Sequence, residues 1–318
     1  MREREREREF KVLNHKKKCP NCFNKEIKLL YTYFSNDIYE KKLNIIYNKN
    51  SYFKRKWYSC KKCNFFFSNY HFFSKDYIAP IYEKLYREDK ISRYEKLLKL
   101  PLAISTNKQR VKYIKENIEL FFNKKIIKFK NKKHLDIGGG SGLFAIQFKD
   151  KNWNSSVLDV CKKSLIEKKY NIKHYNLNIF KNRNKLRKKY NLITIIDCLE
   201  HIKNFRKFLY IIKKNYLARD GIIFIDCPNK TNFGKININD DIFNSCHLNM
   251  WDFQSFSILA ESLNFEIISY KILSEEKNYF SFKCFLIKKK KIFIRHRKSV
   301  SLASKLSDKY KHLYYTHK

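Results

Sequence analysis

His134-Leu135-Asp136-Ile137-Gly138-Gly139-Gly140-Ser141-Gly142 decides how this chain folds. Four of the six glycines fall in this one stretch, directly behind an apolar run. The backbone at that bend therefore needs positive φ or the close approach of another group. The order reads as strand, glycine turn, helix. Asp159 then closes the next apolar run, Ser156-Val157-Leu158-Asp159-Val160. In nucleotide-binding α/β folds the glycines let a cofactor lie against the turn, and the later carboxylate accepts hydrogen bonds from its ribose hydroxyls.

Outward from this bend, strands and helices alternate. The pattern predicts strand 134–137, a helix from about 142, strand 156–160, helix 162–169 and a short strand near 173. It continues with strand 191–197, helix 205–217, strand 221–226, helix 252–263, and strands 267–273 and 279–287 with no long helix between them. Such alternation predicts an α/β domain with a mostly parallel sheet covered on both faces and an antiparallel pair at the end. Ligands then sit at the carboxyl ends of the strands.

Ahead of this domain stand two Cys-x-x-Cys pairs, Cys19-Pro-Asn-Cys22 and Cys60-Lys-Lys-Cys63. Each suits a tight knuckle, and two knuckles complete the four-sulfur shell of structural zinc. The segment between them alternates enough for short strands, around Ile27 to Tyr33 and Lys54 to Ser59, so a zinc ribbon is expected. The gap between the pairs is long for a ribbon, and Asn64 stands where glycine often follows the second knuckle; Asn tolerates the left-handed conformation. A redox pair and coincidental core cysteines are the competing readings. A closed shell leaves no open position, so the ion would hold the fold and do no chemistry.

Helical spacing returns at 77–86, despite Pro80, and at 110–122, where Val111, Ile114, Ile118, Leu120 and Phe121 fall largely on one face. The predicted organisation is a charged extension (1–18), a four-cysteine zinc-ribbon-like module (19–70), a helical connector or lid (71–132), the catalytic domain (133–290) and a basic tail (291–318).

The chain has 318 residues, 43% of them hydrophobic, and a formal net charge of +40. Such charge favours polyanions, but it is spread along a Lys-, Asn- and Ile-rich sequence, which also fits plain solvated faces. The Arg-Glu repeat at the start has no apolar stretch behind it, and no apolar run approaches a membrane span. Cys161, Cys198, Cys227, Cys246 and Cys284 stand singly among the nine cysteines, as suits a reducing cytoplasm.

Four motifs in order resemble class I S-adenosylmethionine (SAM)-dependent methyltransferases. Asp136-x-Gly138-x-Gly140-x-Gly142 is similar to their first motif, and Tyr190 to His201 resembles a fourth strand ending in Leu-Glu-His, a mark of one subgroup. Gly221 to Asn229 looks like the fifth strand with its Pro-Asn end, and His247-Leu-Asn-Met-Trp-Asp-Phe253 like the His-containing loop before the last helix. The resemblance covers about 133–288 and implies a Rossmann-like, seven-stranded sheet, mostly parallel with an antiparallel last strand.

That resemblance implies roles. Gly138, Gly140 and Gly142 would approach the methionine and ribose parts of SAM, Asp136 would orient the loop, and Asp159 would hold the ribose. Asn178, with Asn176 beside it, would contact adenine, and Asp197 and Cys198 would face the methionine moiety. His201, His247 and Glu200 are the candidate catalytic residues, the two histidines as the base that deprotonates an acceptor hydroxyl; each also has a purely structural reading, the histidines in their loops and Glu200 as a hydrogen-bond partner. The four-cysteine module ahead of a Leu-Glu-His methyltransferase is similar to enzymes acting on sugars or nucleotide-sugars in surface-polysaccharide pathways. The alternatives are an RNA methyltransferase gripping nucleic acid with its basic surface, and a binding protein that has lost catalysis.

Overall fold

The computed structural model describes residues 18–34, 37–42, 55–68, 91–128, 132–160, 169–181, 186–230, 240–274 and 280–289. The N-terminal extension up to 17, the helices expected at 77–86 and 162–168, Cys161 and the tail from 290 lie outside them. Contacts group Met1–Lys288 as one unit and Lys289–Lys318 as another; only the first is described below.

The elements, in chain order, are β1 (Ile27–Thr32), α1 (Ile38–Lys42), β2 (Lys56–Cys60), β3 (Phe66–Ser68), α2 (Ile91–Lys99), α3 (Thr106–Asn123), β4 (Lys133–Ile137), α4 (Leu143–Phe148), β5 (Asn154–Asp159) and β6 (Lys173–Asn176). Then follow β7 (Tyr190–Ile196), α5 (Phe205–Ile211), β8 (Leu217–Pro228), β9 (Asn249–Met250), α6 (Phe253–Ser262), β10 (Phe265–Ser274) and β11 (Phe280–Lys288).

Seven strands form one sheet in the order β10-β11-β8-β7-β4-β5-β6. β4, β5, β6, β7 and β8 pair in parallel, while β11 runs antiparallel to both β8 and β10. The sheet is therefore the mixed, Rossmann-like sheet that the glycine bend and the alternation imply. β4 and β5 are buried almost throughout, and so is β8 from Gly221 onward, as strands covered on both faces must be.

α3 covers one face. Ser105 caps it, its hydroxyl accepting from the Lys108 N–H at 3.3 Å. Val111, Ile114, Ile118 and Phe121 recur at helical spacing and are buried, Phe121 meeting Phe285 edge-on at 5.1 Å. Each such side chain contributes about 1.5–3 kcal/mol of burial. Leu120 departs from the expected face: two residues from Ile118 is about half a turn, which puts it on the opposite side, and it is 44% exposed. The helix expected at 205–217 is α only to Ile211; it widens into a π turn over Ile212–Tyr216, which buries Ile212 and Tyr216, and Leu217 already belongs to β8.

The N-terminal segment builds a second sheet, β1-β2-β3-β9, whose last strand comes from far down the chain: Phe66 pairs with Met250 and Phe67 with Asn249. Phe65 lies 5.2 Å from Trp251 and 5.5 Å from Phe205 by ring centroids, so the cysteine-bearing segment shares a core with the large sheet's helices.

Candidate functional site

Gly138, Gly140 and Gly142 all have positive φ, at 76°, 50° and 77°, and Gly142 opens α4. Gly138 is confined as well: a Cβ there would lie 2.4 Å from Cys198 Sγ and 2.9 Å from Cys198 Cβ. Among the described residues, nothing lies within 4 Å of the corresponding point at Gly140. The Gly140 N–H donates to Asp159 Oδ2 at 2.9 Å, which ties the bend to the end of β5. At the end of β6, Asn178 Oδ1 accepts from the backbone N–H groups of Phe180 and Lys181, and the Asn176 amide donates to the Val160 carbonyl.

Beneath the bend runs a buried polar chain. The Thr194 hydroxyl donates to Asp136 Oδ1 at 2.6 Å, and His134 bridges Thr194 and Ser155 at 2.9 Å on each side. Because Thr194 gives its proton to the carboxylate, its oxygen receives Nε2–H of His134, and Nδ1 accepts from Ser155. Burial pushes the Asp136 carboxyl up to about 7, against the pull of Thr194, and burial pushes His134 down to about 3.

Beside it, an acid stands at the carboxyl end of each of two neighbouring strands, Asp197 directly after β7 and Asp226 among the last residues of β8. Asp197 adopts φ 48°, a conformation uncommon outside glycine and frequent at functional sites. Arg110 on α3 clamps both strands, with Nη1 at 2.9 Å from Asp197 Oδ2 and Nε at 2.8 Å from the buried Asp226 Oδ2, which Lys283 also meets at 3.2 Å. Burial drives the Asp226 carboxyl upward while the two cations oppose it. Sequence reading placed Arg110 in a connector and missed this role. The signal was two successive strands each ending in an acid; the partner's distance along the chain hid it.

Past Asp197 and Cys198, a 3-10 turn (Leu199–His201) buries Glu200. The Glu200 carbonyl accepts from the Leu248 N–H at 2.8 Å and the Asn249 amide, which brings the turn against the loop carrying His247. His201 Nδ1 donates to the Cys246 carbonyl at 2.9 Å and His247 Nδ1 to the Ile242 carbonyl at 2.7 Å. The two rings sit 4.9 Å apart by centroids, and Glu200 Oε1 is 3.8 Å from His201 Nε2. Burial, and then the neighbouring His201, hold His247 down at about 3, while burial pushes Glu200 well up. The structure thus brings the three expected residues together. It adds Asp37, which sequence reading missed: it accepts from the Ser245 N–H and hydroxyl and from Arg55, bracing the His247 loop from the N-terminal segment.

The four expected cysteines also converge. Cys19 Sγ is 3.6 Å from Cys63 Sγ, Cys22 Sγ is 3.5 Å from Cys60 Sγ, and all four lie within 4.8 Å of one another. A tetrahedral ion with bonds of about 2.3 Å spaces its sulfurs about 3.8 Å apart, so the group fits a single zinc. Both knuckles end alike, with Phe23 at φ 62° and Asn64 at φ 57°, and the Asn21 and Asn24 amides point at sulfur. The Cys63 thiol is lowered to about 5, chiefly by the hydrogen bond from Cys19. Cys198, Cys227 and Cys284 are free thiols. Among the described residues, no helix is long and apolar enough to cross a membrane.

Comparison with known proteins bears on this geometry. Three solved structures are similar at low identity. A plantazolicin methyltransferase in complex with a triazolic desmethyl analogue and S-adenosylhomocysteine (SAH) has TM-score 0.47 and 16% identity, covering 66% of this chain and 95% of that one. A coclaurine N-methyltransferase bound to N-methylheliamine and SAH has 0.45 and 13%, covering 66% and 82%. The Burkholderia thailandensis 1,6-didemethyltoxoflavin-N1-methyltransferase has 0.45 and 12%, covering 77% and 99%. No curated protein matches by sequence. The family described as "Methyltransferase domain" matches residues 106–270, from α3 to β10. With just over half of its length inside that match, the chain belongs to the methyltransferase-domain family and is a SAM-dependent methyltransferase.

Proposed function

We propose that this enzyme, of the Leu-Glu-His subgroup, methylates a hydroxyl of a small polar acceptor: a sugar or sugar-linked intermediate of surface-polysaccharide biosynthesis, in the cytoplasm. The supporting observation is the pair of imidazoles at 4.9 Å just past the end of β7, a short turn beyond the Cys198 that packs on the glycine bend. The SAM methyl is already activated by its sulfonium, so the protein chiefly aligns an oxygen behind it, which supplies roughly 7–11 kcal/mol. A hydroxyl must also lose its proton, a task that suits histidine. The depressed His247 is a weak base, which favours His201 as the proton acceptor. The sugar class rests on the order of modules, four cysteines before methyltransferase.

Gly138, Gly140 and Gly142 let SAM lie on the bend over Asp136, and Asp159 takes the ribose hydroxyls. The Asn178 amide faces adenine, and Asp197 with Cys198 borders the methionine end. The four cysteines hold one structural zinc.

Calorimetry with SAH tests the cofactor half: Asp159→Ala should weaken binding by roughly ten- to a hundredfold, as loss of charge-assisted hydrogen bonds does, and unchanged affinity removes Asp159 from the ribose. Methyl transfer from labelled SAM to nucleotide-sugars, polysaccharide fragments and RNA tests the acceptor. Transfer to RNA alone, with salt-dependent RNA binding, would replace the sugar reading with the one favoured by the +40 charge. Full turnover in both His201→Ala and His247→Ala would exclude either as base.

A further inference from the structure

We propose that Glu200, His201 and His247 form a second metal site, for a divalent transition ion whose open positions take the acceptor oxygen. The inference rests on the proposed position of the acceptor beside these residues.

Each histidine donates Nδ1–H to a backbone carbonyl, at 2.9 Å for His201 and 2.7 Å for His247. Each neutral ring therefore carries its lone pair on Nε2. This is the outer-shell arrangement by which metal-ligating histidines are oriented. Glu200 is buried, and its Oε2 has no hydrogen-bond partner among the described residues. A carboxylate oxygen left so is costly, and an ion would satisfy it. One ligand atom from each of the three lies within 4.8 Å of the other two, so small side-chain rotations close them around one ion. Two imidazoles and a carboxylate suit zinc, iron or manganese, and three protein ligands leave positions open. The frame is stiff: the Asn244 side chain accepts from the Cys246 and His247 N–H groups, Asp37 from Ser245, and Leu248 and Asn249 reach back to the Glu200 carbonyl.

With the ion bound, the acceptor hydroxyl coordinates it and releases its proton to solvent water. The metal-bound oxygen then attacks the SAM methyl carbon; the new C–O bond forms as the S–CH3 bond breaks, its electron pair passing to sulfur to give SAH and a methyl ether. No oxidant or reductant takes part. In this arrangement His201 spends its Nε2 lone pair on the ion, so the Lewis acidity of the ion replaces His201 as the agent that makes the hydroxyl lose its proton.

The full-length protein, zinc-loaded at its cysteines, is titrated with Mn2+ while the free ion is counted by its electron paramagnetic resonance signal. One saturable Mn2+ per chain is expected, weakened by ten- to a hundredfold in His247→Ala and in Glu200→Gln. SAH binding, measured on the same samples, should hold in all three and reports that each is folded. Wild-type protein that binds SAH but no Mn2+ overturns the metal site and leaves the methyltransferase reading intact; so does Mn2+ binding that both variants retain. Acceptor methylation that survives exhaustive chelation in SAH-competent protein overturns the activating role while the sugar acceptor stands.

Discussion

Gly138 is held to glycine on two independent counts, its φ of 76° and the Cys198 sulfur that a Cβ would strike at 2.4 Å. Left-handed backbone costs a non-glycine residue roughly 1–2 kcal/mol, and the clash adds to it. Gly138→Ala should therefore destabilise the protein by about 2–4 kcal/mol. Adding Cys198→Ala should recover part of that loss by removing Sγ, leaving the φ cost behind. Denaturant midpoints of the single and double variants check this; no recovery in the double variant would mean that the contact is not what confines Gly138. This constraint was legible in the sequence because glycine is the residue that such φ values select, and four glycines cluster in a chain with only six. Asp159 was legible as the acid ending the next strand, though not its bond to Gly140. Arg110 was not legible: a cation on a helix names no partner until the sheet order puts α3 against Asp197 and Asp226.

At the scale of elements, strands and helices of the large sheet followed their apolar periodicity closely, because fully covered strands must be apolar throughout. The π turn at Ile212–Tyr216 was hidden, since α and π spacing differ by too little over five residues to separate in sequence. The three-residue β3 and two-residue β9 are too short for any periodicity to show. The loop before β9 gains its order from outside itself. Asp37, just ahead of α1, holds Ser245 while pairing with the buried Arg55 at 2.7 Å. Asp37→Asn keeps the shape and weakens the clamp. Turnover should fall on the order of ten- to a hundredfold through the misplaced His247 loop, with SAH affinity within about twofold. Equal losses in both would indicate general unfolding instead, and unchanged turnover would deny the loop its positioning by Asp37.

Across the whole described unit, the two sheets share one hydrophobic core, in which Cys19, Cys60, Cys63, Phe65 and Phe67 pack with Phe205, Trp251 and Phe256. The sequence showed two modules in series and gave no hint of this fusion, because pairing between Phe67 and Asn249 leaves no local trace. Lys230 and Asn64 both reach Asp252, the N-cap of α6, and Asn21 donates to the Ser255 carbonyl at 2.8 Å, so polar contacts reinforce the joint. Removing zinc should consequently lower a single unfolding transition. A separate early transition of a detached ribbon is not expected. Scanning calorimetry before and after chelation, with metal analysis near one zinc per chain in the loaded sample, decides between them.

The seam at β9 also sets an order of events at the ribosome. The first sheet cannot gain its outer rung until Asn249 and Met250 have been synthesised, a delay on the order of ten seconds or more at usual rates of chain growth. For that interval the nascent chain presents an open edge at β3, free to pair with a neighbouring strand until β9 arrives to cover it.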